Sequence, residues 1–202
     1  MMVQNDCLLE GTVDGIPEWS HDHRGRHFYR FFLRVPRLSG ETDILPVVTP
    51  EELLGEVEDG RSLRIQGQLR SYNNRSGIGN KLVLTVYPLS ILPGEGVSCN
   101  RILLTGAVCK TPVYRRTPLG RSICDLMLAA PRRYGRADYL PVIAWGQLAV
   151  YAQKLCVGES ISLEGRIQSR IYHKVTEHGS ENRVAYEISM MHLLENDEDI
   201  IP

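Results

Sequence analysis

From residue 101 onward, apolar and polar positions alternate in short runs broken by Gly, Pro and polar turns. The runs RILLTGAV, RSICDLMLAA, YLPVIAW, SISLEGRIQSRIY and RVAYEISMMHL have the composition and the period of strands. Between the third and fourth runs, GQLAVYAQKLCVG changes period, and Leu148, Ala152 and Leu155 fall at helical spacing. The pattern predicts three strands, a helix and two strands. In the first half, TPEELLGEVEDG takes the place of the helix. Thr49 is placed to cap it, Pro50 suits its first position, and Glu52 completes a capping box.

The two halves also repeat residue by residue. At a constant offset of 95, residues 5–48 match the later chain without a gap. Asn5, Gly11, Gly25, Arg37, Asp43 and Pro46 recur as Asn100, Gly106, Gly120, Arg132, Asp138 and Pro141. After a three-residue insertion the match resumes, GRSLRIQGQLRS against GESISLEGRIQS. Repeats of this length are whole domains rather than solenoid units. Three strands, a helix and two strands is the order of a five-stranded Greek-key OB barrel. The expected fold is all-β: two tandem five-stranded OB-fold barrels, each with one short helix between strands three and four. Expected boundaries are 1–93 for the first barrel, 94–99 for a linker, 100–194 for the second barrel and 195–202 for an acidic tail. The connecting LPGEGVSC is too short to hold the barrels far apart.

Composition narrows the class only slightly. Hydrophobic residues at 43% and charged residues at 23% suit a soluble globular chain of 202 residues. No apolar run approaches the ~20 residues of a membrane span, and MMVQNDCLLEG lacks the order of a secretory signal. Five cysteines without a C-x-x-C pair read as reduced thiols of a cytoplasmic protein. Burial as small apolar side chains is expected of Cys7, Cys109, Cys124 and Cys156. Charge changes the picture more. The net −1 conceals 10 Lys and Arg against 13 Asp and Glu in residues 1–95, and 13 against 7 in residues 96–194. Residues 195–202 add four acids and no base. The basic second half points to a polyanionic partner.

Alternation sorts the candidate chemistry by face. In EGRIQSRIY, Gly165, Ile167, Ser169 and Ile171 lie on one side, and Arg166, Gln168, Arg170 and Tyr172 on the other. Two guanidiniums and a ring suit phosphates and unstacked bases, while a solvated strand face with snorkelling arginines accounts for them equally well. PVYRRTPLGRS adds Tyr114, Arg115, Arg116 and Arg121; APRRYGRADY adds Arg132, Arg133, Tyr134, Arg136 and Tyr139. Basic residues interleaved with aromatics in hairpin loops compose a single-strand groove. The first half is poorer. Gln68, Arg70 and Tyr72 repeat the binding pattern on its fourth strand. Phe28, Arg30, Phe32 and Arg34 share a face of FYRFFLRV, for which a subunit interface is weighted above base binding. HDHRGRH groups His21, His23 and His27, but no Cys or fourth His stands at ligand spacing. A polar loop touching phosphates is the reading taken there, with no metal and no cofactor expected. No P-loop, H-E-x-x-H or G-x-S-x-G is present, and no nucleophile–base set suggests an enzyme.

The second half closely resembles the bacterial single-stranded DNA-binding protein family. The resemblance rests on the N-R-x-x-L-x-G opening, the P-x-x-R-x-T-P-x-G hairpin, an apolar strand ending in an aromatic before Gly, and G-x-x-x-x-x-E-G-R-I-Q-x-R. These motifs cover most of residues 100–192, and residues 5–92 carry a thinner version. The resemblance implies base stacking on Tyr139, Trp145, Tyr134 and Tyr172, a mode for which this family serves as the general example. Ile44 stands where Tyr139 does in the second half, and TPEE replaces AWGQ, so the first barrel lacks both platforms. The family's acidic tip, which recruits replication and repair partners, is matched by Asp197, Glu198, Asp199, Ile200, Ile201 and Pro202, without its terminal Phe or long linker. Family members with one barrel per chain assemble four barrels, which implies a homodimer here. The function expected is sequence-tolerant single-stranded DNA binding in replication, recombination or repair, with a replication-restart adaptor or a protein-interaction module as alternatives.

Overall fold

The computed structural model describes residues 5–75, 79–176 and 179–194. In the first half, β1 (Asn5–His23), β2 (Arg26–Pro36) and β3 (Thr42–Pro50) precede a 3-10 turn (Glu51–Glu56), β4 (Ser62–Asn73) and β5 (Leu82–Pro93). The second half runs β6 (Cys99–Val108), β7 (Val113–Arg116), β8 (Ser122–Pro131), β9 (Ala137–Trp145), α1 (Gln147–Ala152), β10 (Ser160–Thr176) and β11 (Gly179–Leu194). The first barrel closes in the order β1-β2-β3-β5-β4 and back to β1; the second closes as β6-β8-β9-β11-β10 and back to β6, with β7 paired to β8. The fold is all-β, two OB barrels in tandem, and each has its helical turn between the third and fourth barrel strands.

Alternation fills the interiors. Leu33, Leu45, Leu63 and Ile65 are sealed in the first barrel, and Leu104, Leu128, Leu140 and Leu163 in the second. Closure depends on glycine where one strand serves two neighbours. A Cβ on Gly11 would lie 2.4 Å from the Arg34 carbonyl oxygen, and one on Gly165 would lie 2.5 Å from that of Ser189. Gly165 sits beside an irregularity in the β10–β11 register, the kind of break that lets a sheet curl.

The barrels join edge to edge. β1 pairs antiparallel with β6, with Asn5 opposite Leu104 and Leu9 opposite Asn100. Residues 5 and 9 correspond to 100 and 104 in the repeat, so this pairing is its own image under a pseudo-two-fold axis. It makes β5-β4-β1-β6-β10-β11 one continuous run of strands. The recurring asparagines play matching roles, each within its own barrel. The Asn5 amide donates to the Leu69 carbonyl and accepts from its N–H, both at 2.9 Å; Asn100 does the same to Ile167 at 2.8 and 3.0 Å. The linker is tethered too, because the buried Glu10 carboxylate accepts the backbone N–H groups of Glu95 and Val97 at 2.6 and 3.1 Å.

Four local expectations are corrected. Thr49 belongs to β3 and turns its hydroxyl to the Pro50 carbonyl, while Glu52 reaches Arg26, so the capping box does not form and Pro50 sits at the cap. Ile171 is 69% exposed, because β10 pairs only with β11 beyond Gly165 and its far end runs on as a two-stranded hairpin. Cys109 is half-buried and Cys156 exposed, whereas Cys7 and Cys124 are buried. Burial and the nearby Asp6 carboxylate push the Cys7 thiol up to about 12. Phe28 is buried beneath the stacked ring of His21, 4.8 Å between centroids, and Arg30 lies over the half-buried Phe32, so this face offers less apolar area to a second subunit than alternation suggests.

Candidate nucleic-acid interface

The period of two places the second barrel's aromatics. Leu140, Val142 and Ala144 of β9 point into the core, and Tyr139 and Trp145 therefore emerge on the outer side, 49% and 39% exposed. Trp145 lies opposite Ile123 on β8, and Tyr139 opposite Ala129. Gly146, at φ 57°, then turns the chain into α1. Across the sheet, β10 presents Arg166, Gln168, Arg170 and Tyr172. Arg170 lies over the Tyr172 ring at 5.9 Å and pairs with Glu187 at 3.6 Å, while Gln168 donates to the same glutamate at 3.0 Å. The Arg166 Nε is buried without a hydrogen-bond partner among the described residues.

The remaining candidates fall into separate groups. Arg115 on β7 pairs with Asp125 at 2.9 Å, and Arg116 and Arg121 are exposed around the β7–β8 turn. Tyr114 donates to or accepts from the Ser122 hydroxyl at 2.7 Å. The Ser122 bond first, and Arg116 second, hold this phenol below its usual pKa. Arg133 and Tyr134 sit on the loop before β9. Tyr134 is 96% exposed and occupies the left-handed region at φ 64°, which holds its ring out into solvent. Tyr72 is exposed near the end of β4 in the first barrel. Three arginines near this sheet are committed to buried carboxylates. Asp138, fully buried, receives Arg70 at 3.2 Å, Arg132 at 3.4 Å and the Ser71 N–H at 2.7 Å. Its repeat equivalent Asp43, also fully buried, receives Arg37 and, from the other barrel, the Ser169 N–H and hydroxyl at 2.7 and 2.9 Å. Burial pushes the Asp43 carboxyl up, but Arg37 and Ser169 outweigh it and leave its pKa below the usual value.

Each barrel thus sends a buried aspartate into a serine on the other barrel's fourth strand. The same clasp reaches the candidate stacking residues. Tyr139 donates its backbone N–H to the Ser71 hydroxyl at 2.7 Å, and Tyr172 donates its phenol to Asn80 at 2.8 Å, both partners lying in the first barrel. Sequence reasoning missed this clasp, although Asp43 and Asp138 stand among the recurring residues. It also missed Trp19, 61% exposed on the β1–β2 hairpin, where the repeat places Tyr114 in the second barrel. Its indole donates to Asp22 at 3.3 Å, and Asp22 also holds His27 at 2.6 Å. Among the described residues no three His, Cys, Asp or Glu side chains gather as a metal site would require. Residues Asp197, Glu198, Asp199, Ile200, Ile201 and Pro202 lie outside the described residues.

A model of the Single-strand binding protein family matches residues 99–194. The Single-stranded DNA-binding protein 2 of Listeria innocua is 32% identical over 80 residues, which are 36% of this chain and 50% of that protein. The chain therefore spans about half the length of that relative. The Replication restart protein PriB of Yersinia enterocolitica is 32% identical over 79 residues, 35% of this chain and 74% of that protein. Among solved structures, the single-stranded DNA binding protein of Thermus aquaticus superposes with a TM-score of 0.76 at 22% identity, covering 95% of this chain and 92% of that one. This likeness is one of fold, and it extends through both barrels. The matched second barrel, the tandem architecture and the extent of the PriB match together assign the chain to the bacterial single-strand binding protein family.

Proposed function

We propose that the protein binds single-stranded DNA without sequence preference and without catalysis, in the cytoplasm, as part of DNA replication and of the recombination and repair that draw on the same intermediate. The observation that carries this reading is the outer face of the second barrel, where Tyr139 and Trp145 stand half-exposed on β9 while Arg166, Arg170 and Tyr172 line β10. Bases stack on such rings whatever their identity, and guanidiniums take the intervening phosphates. Arg115, Arg116, Arg121 and Arg133 extend the phosphate track at its margins. Arg70 and Arg132 serve chiefly to hold Asp138 in place. The name of the Listeria innocua relative supports the same reading.

Titration with oligo-dT at two salt concentrations tests this. Binding is expected to weaken steeply with salt, by a log–log slope of about −0.7 per neutralised phosphate. Weak, salt-insensitive retention instead favours the second reading, a replication-restart adaptor, which the PriB match supports. Recruitment of replication or repair proteins through residues 195–202 belongs to either reading. Assembly as a homodimer does too. With Phe28 buried, the surface offered to the second copy is the outer side of the continuous sheet, where Leu8, Leu92 and Leu103 line a depression of about 390 Å³ flanked by Arg64 and Arg101.

A further inference from the structure

The first barrel lacks the stacking platforms of the second, yet its β1–β2 hairpin reaches a surface that neither barrel forms alone. His23 and Arg24 at the tip, Gln68 and Arg70 on β4, and the loop residues Arg132, Arg133, Tyr134 and Arg136 line one open groove of about 940 Å³. Its lining includes five arginines and no carboxylate; Asp138 lies beneath, buried and spent on Arg70 and Arg132. Arg24, Arg133 and Arg136 have no ion-pair partner among the described residues. Unpaired guanidiniums from two walls over a polar floor describe a path for a polyanion rather than a pocket for an apolar small molecule. Tyr134 projects beside this path, and Tyr139, the first ring of the β9 row, follows Asp138 directly.

We infer that this groove carries the phosphodiester backbone of a single strand from the second barrel's aromatic face onto the first barrel's hairpin, with Arg24 and Arg136 neutralising phosphates on opposite walls and Tyr134 stacking a base between them. The inference rests on the DNA reading above and assigns the first barrel a contact that its own sheet face does not supply.

The test compares oligo-dT of about 10 nucleotides, which one barrel accommodates, with one of about 30, which reaches both. Arg24→Asn suits the hairpin, because Arg24 already sits in the left-handed region at φ 50° that Asn tolerates. The variant is expected to bind the short strand as the wild type does. For the long strand it should lose about 0.7 from the log–log salt slope, which is about eightfold in affinity at ~50 mM salt relative to ~1 M. Wild-type protein that retains neither strand sinks the DNA reading and the groove with it. Wild-type protein that binds both, with Arg24→Asn leaving the long strand's affinity and slope unchanged or weakening both strands alike, overturns the groove alone.

Discussion

Single side chains fix how the two barrels meet. Asp43 and Asp138 are fully buried carboxylates: Asp43 is neutralised by Arg37 of its own barrel, Asp138 by Arg132 of its own barrel and Arg70 of the other, and each also accepts from a serine across the junction. Removing the charge strands the guanidinium that faces it, and breaking such a pair costs about 3 kcal/mol. Asp43→Asn is expected to lower unfolding stability near neutral pH by that order, read by denaturant titration. Because Asp43 titrates below the usual carboxyl value, its contribution is complete above the unfolded-state pKa and disappears as pH falls through the folded one. The wild type should therefore lose stability on acidification where Asp43→Asn does not. These residues stood in the sequence as repeats, as did Asn5 and Asn100. Recurrence alone does not separate a residue that serves its own barrel from one that crosses to the other, since both reasons leave the same two letters at the same offset.

Among elements, the β1–β2 hairpin shows what pattern reading can reach. Alternation sorted FYRFFLRV correctly, with Phe31, Leu33 and Val35 buried and Arg30 and Arg34 outside. It did not show that Phe28 would be covered, because the cover comes from His21 across the hairpin turn, a contact set by register. On the opposite side of the ribbon, Asp22 bonds both Trp19 and His27. The hydrogen bond to Asp22 first, and its charge second, raise the His27 pKa above the ordinary imidazole value. A raised pKa makes this contact favourable while His27 is protonated, so the hairpin loses it as pH climbs through the folded-state value. Proton NMR is expected to show His27 titrating late in the wild type and near the ordinary value in Asp22→Asn. The β9 row was more legible. Leu140, Val142 and Ala144 point inward, and period two puts Trp145 on the other side of the strand.

At the scale of the whole molecule, the proposed DNA binding is expected to divide unequally between the barrels. Stacking is worth about 1–3 kcal/mol per base, so Trp145→Ala and Tyr172→Ala should each weaken oligo-dT binding by about fivefold or more, with a melting curve beside each affinity because Tyr172 also bonds Asn80. Tyr72→Ala, in a barrel without counterparts of Tyr139 and Trp145, should do far less; an equal loss from Tyr72 and Tyr172 would mean that both barrels bind alike. The repeat does not equate these two tyrosines. Tyr72 aligns with Arg170, and Tyr172 with Asn74, so the two rings are not a matched pair across the repeat. Light scattering at micromolar concentration is expected to give twice the chain mass, and a monomer there would overturn the second-copy assembly.

The β1–β6 pairing has one more consequence, which concerns heredity rather than contacts. In a two-fold dimer of identical subunits, a substitution at the seam enters twice, and any residue must suit both roles at once. Here the seam joins two segments of one chain, and a change at Asn5 leaves Asn100 untouched. The two halves can therefore differ at any one position: Ile44 stands at the position of Tyr139 while Asp43 and Asp138 are the same, a combination that a dimer of identical subunits forbids.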